Sequence, residues 1–533
     1  MLDVIELIIG LLIGVAALSA LARKMLVPPA IVLVVGGALF GLIPGLPPVH
    51  LDPDMVFLFL LPPLLYPAAL FTSWRDFQAN LRTISLLAVG LVLFTTAAIA
   101  WLAYSMMGMP LAAGFVLGAI ISPPDAVAAT AITQRLRVPR RIITILEGES
   151  LVNDATALVA YRFAVTAVVT GTFSWTEAGW RFPAVAAGGI AIGLVIGHVV
   201  ARIQQRLDDP PIQATISLLT PYAAFVSADH LGVSGVLAVV TAGVYLGWRS
   251  PEITTARMRL VVRPVWETIG FVLNGFVFIL IGLQLPDVLH AVSDYSVLQL
   301  TTYALLISLA VIVIRLLWVY PAAYVPRWLV PALRKRDPYP AWQHVMIVAW
   351  TGMRGVVSLA AALAIPFTLA DGSPFPGRSL ILFLTCTVIV ATLVVQGLSL
   401  PVLIRWLDVT DDGAEDGEER EARLKANQAA LARLNELAQS SSINADVIQR
   451  MRVEYEDRIR QLKLTGSVDG DAPRPLFAPD YETLSHTLLR TERDVILHLR
   501  NEHVINDEVL RRVQRDIDLA EARLHRRPAR APA

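Results

Sequence analysis

The chain has 533 residues, 55% of them hydrophobic and 17% charged, with 44 Lys and Arg balancing 44 Asp and Glu. A mean hydropathy of +0.60 excludes an ordinary soluble globular protein. Net neutrality without a sustained Lys/Arg tract argues against nucleic acid as a partner, and a single cysteine, Cys386, excludes an internal disulfide or a Cys-based metal site. Charge is unevenly spread: the last 126 residues, from Asp408, hold 20 basic and 25 acidic side chains, more than all 407 before them. Residues 1–407 therefore read as a membrane-embedded domain and 408–533 as a water-soluble one.

A hydrocarbon core roughly 30 Å thick requires about 20 apolar residues per helix. About thirteen runs of that kind appear, over 4–22, 27–46, 54–71, 83–105, 111–133, 142–169, 183–201, 212–228, 232–248, 264–285, 297–321, 342–369 and 379–404. The first lacks a small-residue cleavage site and reads as a retained helix. Lys and Arg alternate strongly between the connecting loops, 18 after odd-numbered spans up to the eleventh and 2, Arg181 and Arg378, after even-numbered ones. That bias places the odd loops in the cytoplasm, the N-terminus outside and the tail inside.

Ionisable groups within such spans are expensive unless paired or hydrated, so each is a candidate functional residue. They are Asp125 in the fifth span, Glu147, Glu149 and Asp154 in the sixth, and the bases Arg162, Arg315 and Arg354. Two of the segments that carry them are poor helices. Pro123-Pro124 removes two backbone donors from the fifth span, and Gly352 and Gly355 weaken the twelfth. Broken helices at membrane depth must face protein or a water-filled cavity. Seven spans separate the two breaks, an odd offset that makes them oppositely oriented equivalents of an inverted repeat, spans 1–6 and 8–13. Asp125 and Arg354 are suited to neutralise the half-helix ends that meet there.

Ser150 and Asp154, four apart, share a helix face, whereas Glu149 lies about 140° from Asp154. A hydroxyl and a carboxylate together suit a small hard cation such as Na+, and a carboxylate that holds either the cation or a proton supplies exchange. Glu149 needs its own partner, for which Arg315 is the choice, as a structural ion pair. Glu147 belongs either to a cytoplasmic funnel that steers cations or to a solvated surface. Arg162 has no assigned role, and His198, His230 and His344 are isolated.

At these positions the sequence resembles the monovalent cation:proton antiporters of the NhaP/NHE branch. The resemblance rests on Leu61-Pro62-Pro63-Leu64-Leu65, Pro124-Asp125-Ala126-Val127-Ala128, Glu147 to Ala155, Trp266-Glu267 with Asn274 and Ile281-Gly282-Leu283, Arg354-Gly355, and Val395-Gln396-Gly397-Leu398. It implies an all-α polytopic membrane fold with inverted repeats and crossing broken helices, and a homodimer whose core moves against a scaffold. Asp154 is then the exchanging carboxylate, with Asn153 beside it, Ser150, Asp125 and the Pro124 carbonyl as further members of the ion- and proton-binding set, and Asp125 and Arg354 at the crossing. An Asn rather than an acid at 153 implies electroneutral exchange. The branch commonly carries an acid where this chain has Pro67, so the resemblance leaves preference among Na+, K+ and Li+ open. No cofactor is implied beyond the transported ions.

A channel should show a repeated carbonyl filter, a membrane enzyme a cluster of ligands or a nucleophile with its base, and an ATP-driven pump a Walker motif; none is visible. In the tail, the acidic Asp411 to Gly417 stretch reads as a flexible linker. Apolar residues then recur at three and four over Leu424 to Leu437, Val447 to Leu462, Leu484 to Leu489 and Val509 to Leu524. They indicate two pairs of helices divided by Gly466 to Pro479, a regulatory or dimerising module.

Overall fold

The computed structural model describes residues 2–25, 27–43, 56–171, 175–207, 209–369, 372–411, 413–440, 444–464, 478–502, 513–514 and 516–520. The ends of the second and third expected spans within 44–55, the tail segment 465–477 and Val509 and Leu524 lie outside them. The chain divides into two compact units, Met1–Asp412 and Gly413–Ala533.

Among its described residues, the first unit is built from helices and their connections. In chain order it contains α1 (Leu2–Met25), α2 (Pro29–Gly41), α3 (Leu61–Phe71), α4 (Trp74–Ser85), α5 (Val92–Met107), α6 (Leu111–Ile121), α7 (Ala126–Arg135), α8 (Arg140–Thr170), α9 (Trp175–Gln204), α10 (Pro210–His230), α11 (Gly235–Ile253), α12 (Ala256–His290), α13 (Val297–Leu329), α14 (Pro331–Arg336), α15 (Trp342–Trp350), α16 (Val356–Leu363) and α17 (Arg378–Trp406). Eight stretches among the described residues are long and apolar enough to cross a membrane, and two further apolar helices are shorter. The sole strand-like feature among the described residues is an isolated bridge between Thr368 and Pro374.

Two wide π turns interrupt this regularity, Val56–Leu60 before α3 and Leu86–Leu91 between α4 and α5. At the second, the indole N–H of Trp318 on α13 donates to the Leu86 carbonyl at 3.0 Å. The wider turn thus has an outside partner for a backbone acceptor, which satisfies a carbonyl whose helical hydrogen bonding is disturbed.

Buried apolar side chains gather into two clusters. One is built on α5, α6, the C-terminal half of α12, α13 and α15 to α17. The other is built on α3, α10, α11 and the N-terminal part of α12, around Trp266. α8 belongs to both, with Ile145, Leu146, Tyr161 and Ala164 in the first and Leu151 and Ala155 in the second. The middle of α8 is therefore the seam between two packed bodies. Close packing elsewhere rests on small residues: a Cβ on Gly282 would stand 2.1 Å from the Val34 carbonyl oxygen, so the glycine of Ile281-Gly282-Leu283 lets α12 lie against α2.

In the second unit, α18 (Ala414–Ser440), α19 (Ala445–Leu464) and α20 (Ala478–Asn501) are helices, and 516–520 is helical. α18 begins inside the stretch expected to be a linker. Its first turns carry Glu418 and Glu419, and acidic residues at a helix N-terminus are favoured by the exposed amides and the macrodipole. Composition read as flexibility was, at these positions, a helix start.

Candidate functional site at the crossed helix breaks

The fifth expected span breaks between α6 and α7, and the twelfth between α15 and α16. The breaks touch: the Asp125 amide donates to the Met353 carbonyl at 2.7 Å. A Cβ on Gly355 would lie 1.8 Å from Asp125 Oδ2, so only glycine permits this approach.

Each break exposes helix ends, and each end has a charged partner. The Asp125 carboxylate caps α7 by accepting from the Val127 amide at 2.8 Å, and it also accepts from the Val356 amide at the start of α16. One anion thus serves two positive helix N-termini. At the opposite ends, Arg354 donates from Nε to the Ile121 carbonyl at 2.9 Å and from Nη2 to the Ser122 carbonyl at 3.3 Å, and it also bonds the Gly352 carbonyl. Its amide donates to Thr392 Oγ1 of α17 at 3.1 Å. The C-terminus of α15 has a different cation: Arg315 donates to the Val348 carbonyl from Nε at 3.3 Å and Nη2 at 3.0 Å.

Arg315 also meets Glu149, at 2.5 Å and 2.8 Å in a bidentate pair, with 0% and 2% of the two side chains exposed. The structure thus brings together the two residues singled out as an ion pair and adds a second duty for Arg315 that no spacing in the sequence disclosed. Only a pairing in space reveals it, because Arg315 and Val348 lie on separate helices.

On the seam of α8, Asn153 is fully buried and donates from Nδ2 to the Pro124 carbonyl at 2.8 Å, while its Oδ1 has no partner among the described residues. Ser150 Oγ accepts from the Ala126 amide at 3.4 Å, which ties α8 to the start of α7. Asp154 is 6% exposed and, among the described residues, its carboxylate takes part in no hydrogen bond or ion pair. The charge of Asp125 acts on it. The Pro124 carbonyl, expected as an ion ligand, accepts from Asn153 and, as a carbonyl with two lone pairs, has room for one more partner.

Other expected positions fall apart from this cluster. Arg162 pairs with Asp229 of α10 at 2.9 Å with about half of each side chain exposed, and His198 Nδ1 lies 3.1 Å from the Tyr245 hydroxyl. Pro67 sits within α3 beside Tyr66, whose ring packs 5.3 Å from that of Trp266. The Trp266 indole donates to Ser217 Oγ at 3.0 Å, which makes the tryptophan of Trp266-Glu267 a packing residue. Among the described residues no three His, Cys, Asp or Glu side chains converge as a resident metal site.

One ionic node was absent from the sequence reading. Asp337, between α14 and α15, receives Arg82 at 3.0 Å, Arg141 at 2.8 Å and Arg327 at 2.7 Å. Burial raises its pKa, but the hydrogen bond from Arg141 and the charges of Arg141, Arg327 and Arg82 outweigh that and hold the carboxyl below its ordinary value. The three arginines flank three different apolar runs, so their convergence has no local signature.

Crossed, broken membrane helices with neutralised ends and one unpartnered buried carboxylate define a secondary ion transporter of the antiporter fold. The comparisons agree. Residues 8–406 match the model of the transmembrane sodium/hydrogen exchangers, and the chain belongs to that family. It is 36% identical over 528 residues to an uncharacterized Na+/H+ exchanger of Mycobacterium tuberculosis, covering 97% of each chain. It is 34% identical over 476 residues to the sodium, potassium, lithium and rubidium/H+ antiporter of Bacillus pumilus, covering 87% of this chain and 70% of that one. The solved sodium proton antiporter MjNhaP1 from Methanocaldococcus jannaschii shares the fold, with a TM-score of 0.60 at 19% identity over 76% of this chain and 98% of that one.

Proposed function

We propose that the chain is a secondary active antiporter that exchanges one monovalent cation for one proton by alternating access, with Asp154 holding the two in turn. The observation that carries this reading is the state of Asp154: a nearly buried carboxylate without a partner among the described residues, at the seam of two packed bodies, beside buried charges that are ion-paired, as Glu149 with Arg315, or hydrogen-bonded to helix ends, as Arg354. Ser150 Oγ, the free Asn153 Oδ1 and the second lone pair of Pro124 O are neutral oxygens beside it, the donor type a hard monovalent cation prefers. Asp125 and Arg354 hold the crossing together, and Glu149 with Arg315 is structural.

Na+ is the principal ion, with K+ and Li+ also carried. A second reading, a K+/H+ antiporter, is favoured by the relative named for sodium, potassium, lithium and rubidium. With Asn153 engaged as an amide donor, one titrating carboxylate gives electroneutral exchange. The domain 1–407 performs transport as a homodimer in the bacterial inner membrane, N-terminus outside, and the cytoplasmic domain 408–533 tunes it. Low pH keeps Asp154 protonated and excludes the cation, and high pH starves the return step of protons, so activity is bell-shaped in pH.

The test is proton efflux from proteoliposomes challenged with Na+, K+ or Li+ between about pH 6 and 9, the range over which a carboxylate-based exchanger would turn from proton-blocked to proton-starved. Asp154→Asn abolishes exchange while leaving a monodisperse protein, because an amide cannot alternate between proton and cation. Exchange at the wild-type rate by that variant would remove Asp154 from the mechanism.

A further inference from the structure

Glu147 lies on α8 seven residues before Asp154 and three before Ser150, so the three share a helix face, with Glu147 about 10 Å along the axis from Asp154. The partly or fully accessible positions on that face are Ile143, Glu147 and Ser150; from Asn153 to Ala157 every residue is buried. The facing helix α7, anchored at Ser150 by its first amide, is accessible at Val127, Thr130, Ala131 and Gln134. Access to Asp154 therefore runs along the α7–α8 hairpin from the end that bears Arg135, Arg137, Arg140 and Arg141, the cytoplasmic end by the distribution of Lys and Arg.

Glu147 stands on this route with no hydrogen bond or ion pair to any described residue. Most charged groups on the helices packed against α8 are engaged, Asp76 with Arg140, Arg82 and Arg141 with Asp337, Glu149 with Arg315 and Arg249 with Glu252, while Arg75 of α4 is exposed. Arg135 sits at the far end of α7. A carboxylate left unpaired and half-buried in a membrane unit must face water.

We infer that Glu147 is the electrostatic vestibule residue of the transporter, a fixed negative charge that raises the occupancy of Asp154 by monovalent cations arriving from the cytoplasm without ligating them. This inference rests on Asp154 being the exchange site. A unit charge about 10 Å away changes cation occupancy by roughly 2- to 15-fold, for effective dielectric constants from 80 down to 20. The field acts equally on any monovalent cation, protons included. Removing it weakens metal cation and proton at Asp154 by the same factor, which leaves a distinctive signature. On the alkaline limb, where protons do not compete, KM for the cation rises by that factor. On the acid limb, where KM is set by competition between the two, the factor cancels.

The test is exchange in everted membrane vesicles of a host without its own antiporters, which present the cytoplasmic face outward, with wild type, Glu147→Gln, Glu147→Asp and Asp154→Asn compared. Glu147→Gln is expected to raise KM for Na+ about 2- to 15-fold at alkaline pH, to leave it unchanged at acid pH, and to leave the maximal rate unchanged. Glu147→Asp retains the wild-type KM, and added choline chloride shrinks the difference as screening takes over. An unchanged KM in Glu147→Gln at alkaline pH, an equal rise on both limbs, or Glu147→Asp behaving like Glu147→Gln overturns the inference while exchange through Asp154 stands. Continued exchange by Asp154→Asn instead overturns the reading on which it rests.

Discussion

Glu149 and Arg315 of the membrane unit meet with 2% and 0% of their side chains exposed, whereas Glu454 and Arg458 of the tail, one turn apart on α19, meet with 55% and 52% exposed. The first pair joins α8 to α13 and, through the Val348 carbonyl, to the end of α15. The second pair joins a helix to itself. Buried charge in the membrane unit is sparse and held across elements; charge in the tail is dense and mostly paired one turn apart, as also in Glu421 with Lys425 and Arg433 with Glu436. Geometry alone does not distinguish the pairs, since each is within hydrogen-bond reach. Desolvation does: removing one partner strands a charge in the first case and returns a charge to water in the second.

The largest expected effect follows from that contrast. Glu149→Gln or Arg315→Met should lower the stability of the purified protein by about 3 to 5 kcal/mol, read as thermal unfolding in detergent. The double change Glu149→Leu with Arg315→Met recovers part of the loss and not all of it, because the Val348 carbonyl still loses its donor. Full recovery would show that the Val348 contact contributes nothing, and no recovery would show that the two residues are not energetically a pair.

An intermediate effect is expected at Asp337, partly exposed and shared by three arginines. Asp337→Asn should cost about 1.5 to 3 kcal/mol, the range for hydrogen bonds to a charged group. Its folded-state pKa lies below the unfolded value of about 3.9. The contribution is therefore complete above that value and is lost as pH falls through the lower, folded one. A stability difference between wild type and Asp337→Asn that stays constant between about pH 5 and 8 and closes on further acidification fits this account. A difference that grows on acidification contradicts it.

How much of this was legible in the sequence depended on whether a residue's role was local. The breaks were visible because Pro123-Pro124 lacks backbone donors and because Gly352 and Gly355 weaken a helix by themselves. Ser150 and Asp154 were visible because four residues fix a shared face. The Arg315 contact with Val348 and the gathering of Arg82, Arg141 and Arg327 on Asp337 were not, since each joins helices far apart in the chain. The π turns were likewise hidden: nothing in Leu86 to Leu91 differs from an ordinary apolar helix until Trp318 arrives at the Leu86 carbonyl. In the tail, Glu415 and Asp416 carry the composition of a linker and the position of a helix start.

The smallest effect is expected where the opening contrast predicts almost none. Glu454→Gln should change stability by less than about 0.5 kcal/mol, and moderate salt should mask even that. A loss of several kcal/mol there would mean that the tail's surface pairs are not merely local.

The central claim is that transport rests on a single titrating carboxylate, Asp154, at a crossing whose other charges are already matched. Recording current from proteoliposomes adsorbed to a capacitive membrane during a Na+ jump, while a pH dye confirms turnover, tests it most directly. One proton exchanged for one cation moves no net charge, so turnover without sustained charge displacement is the predicted result. A current that scales with turnover would mean that a second group carries a proton through the cycle, and would contradict the account.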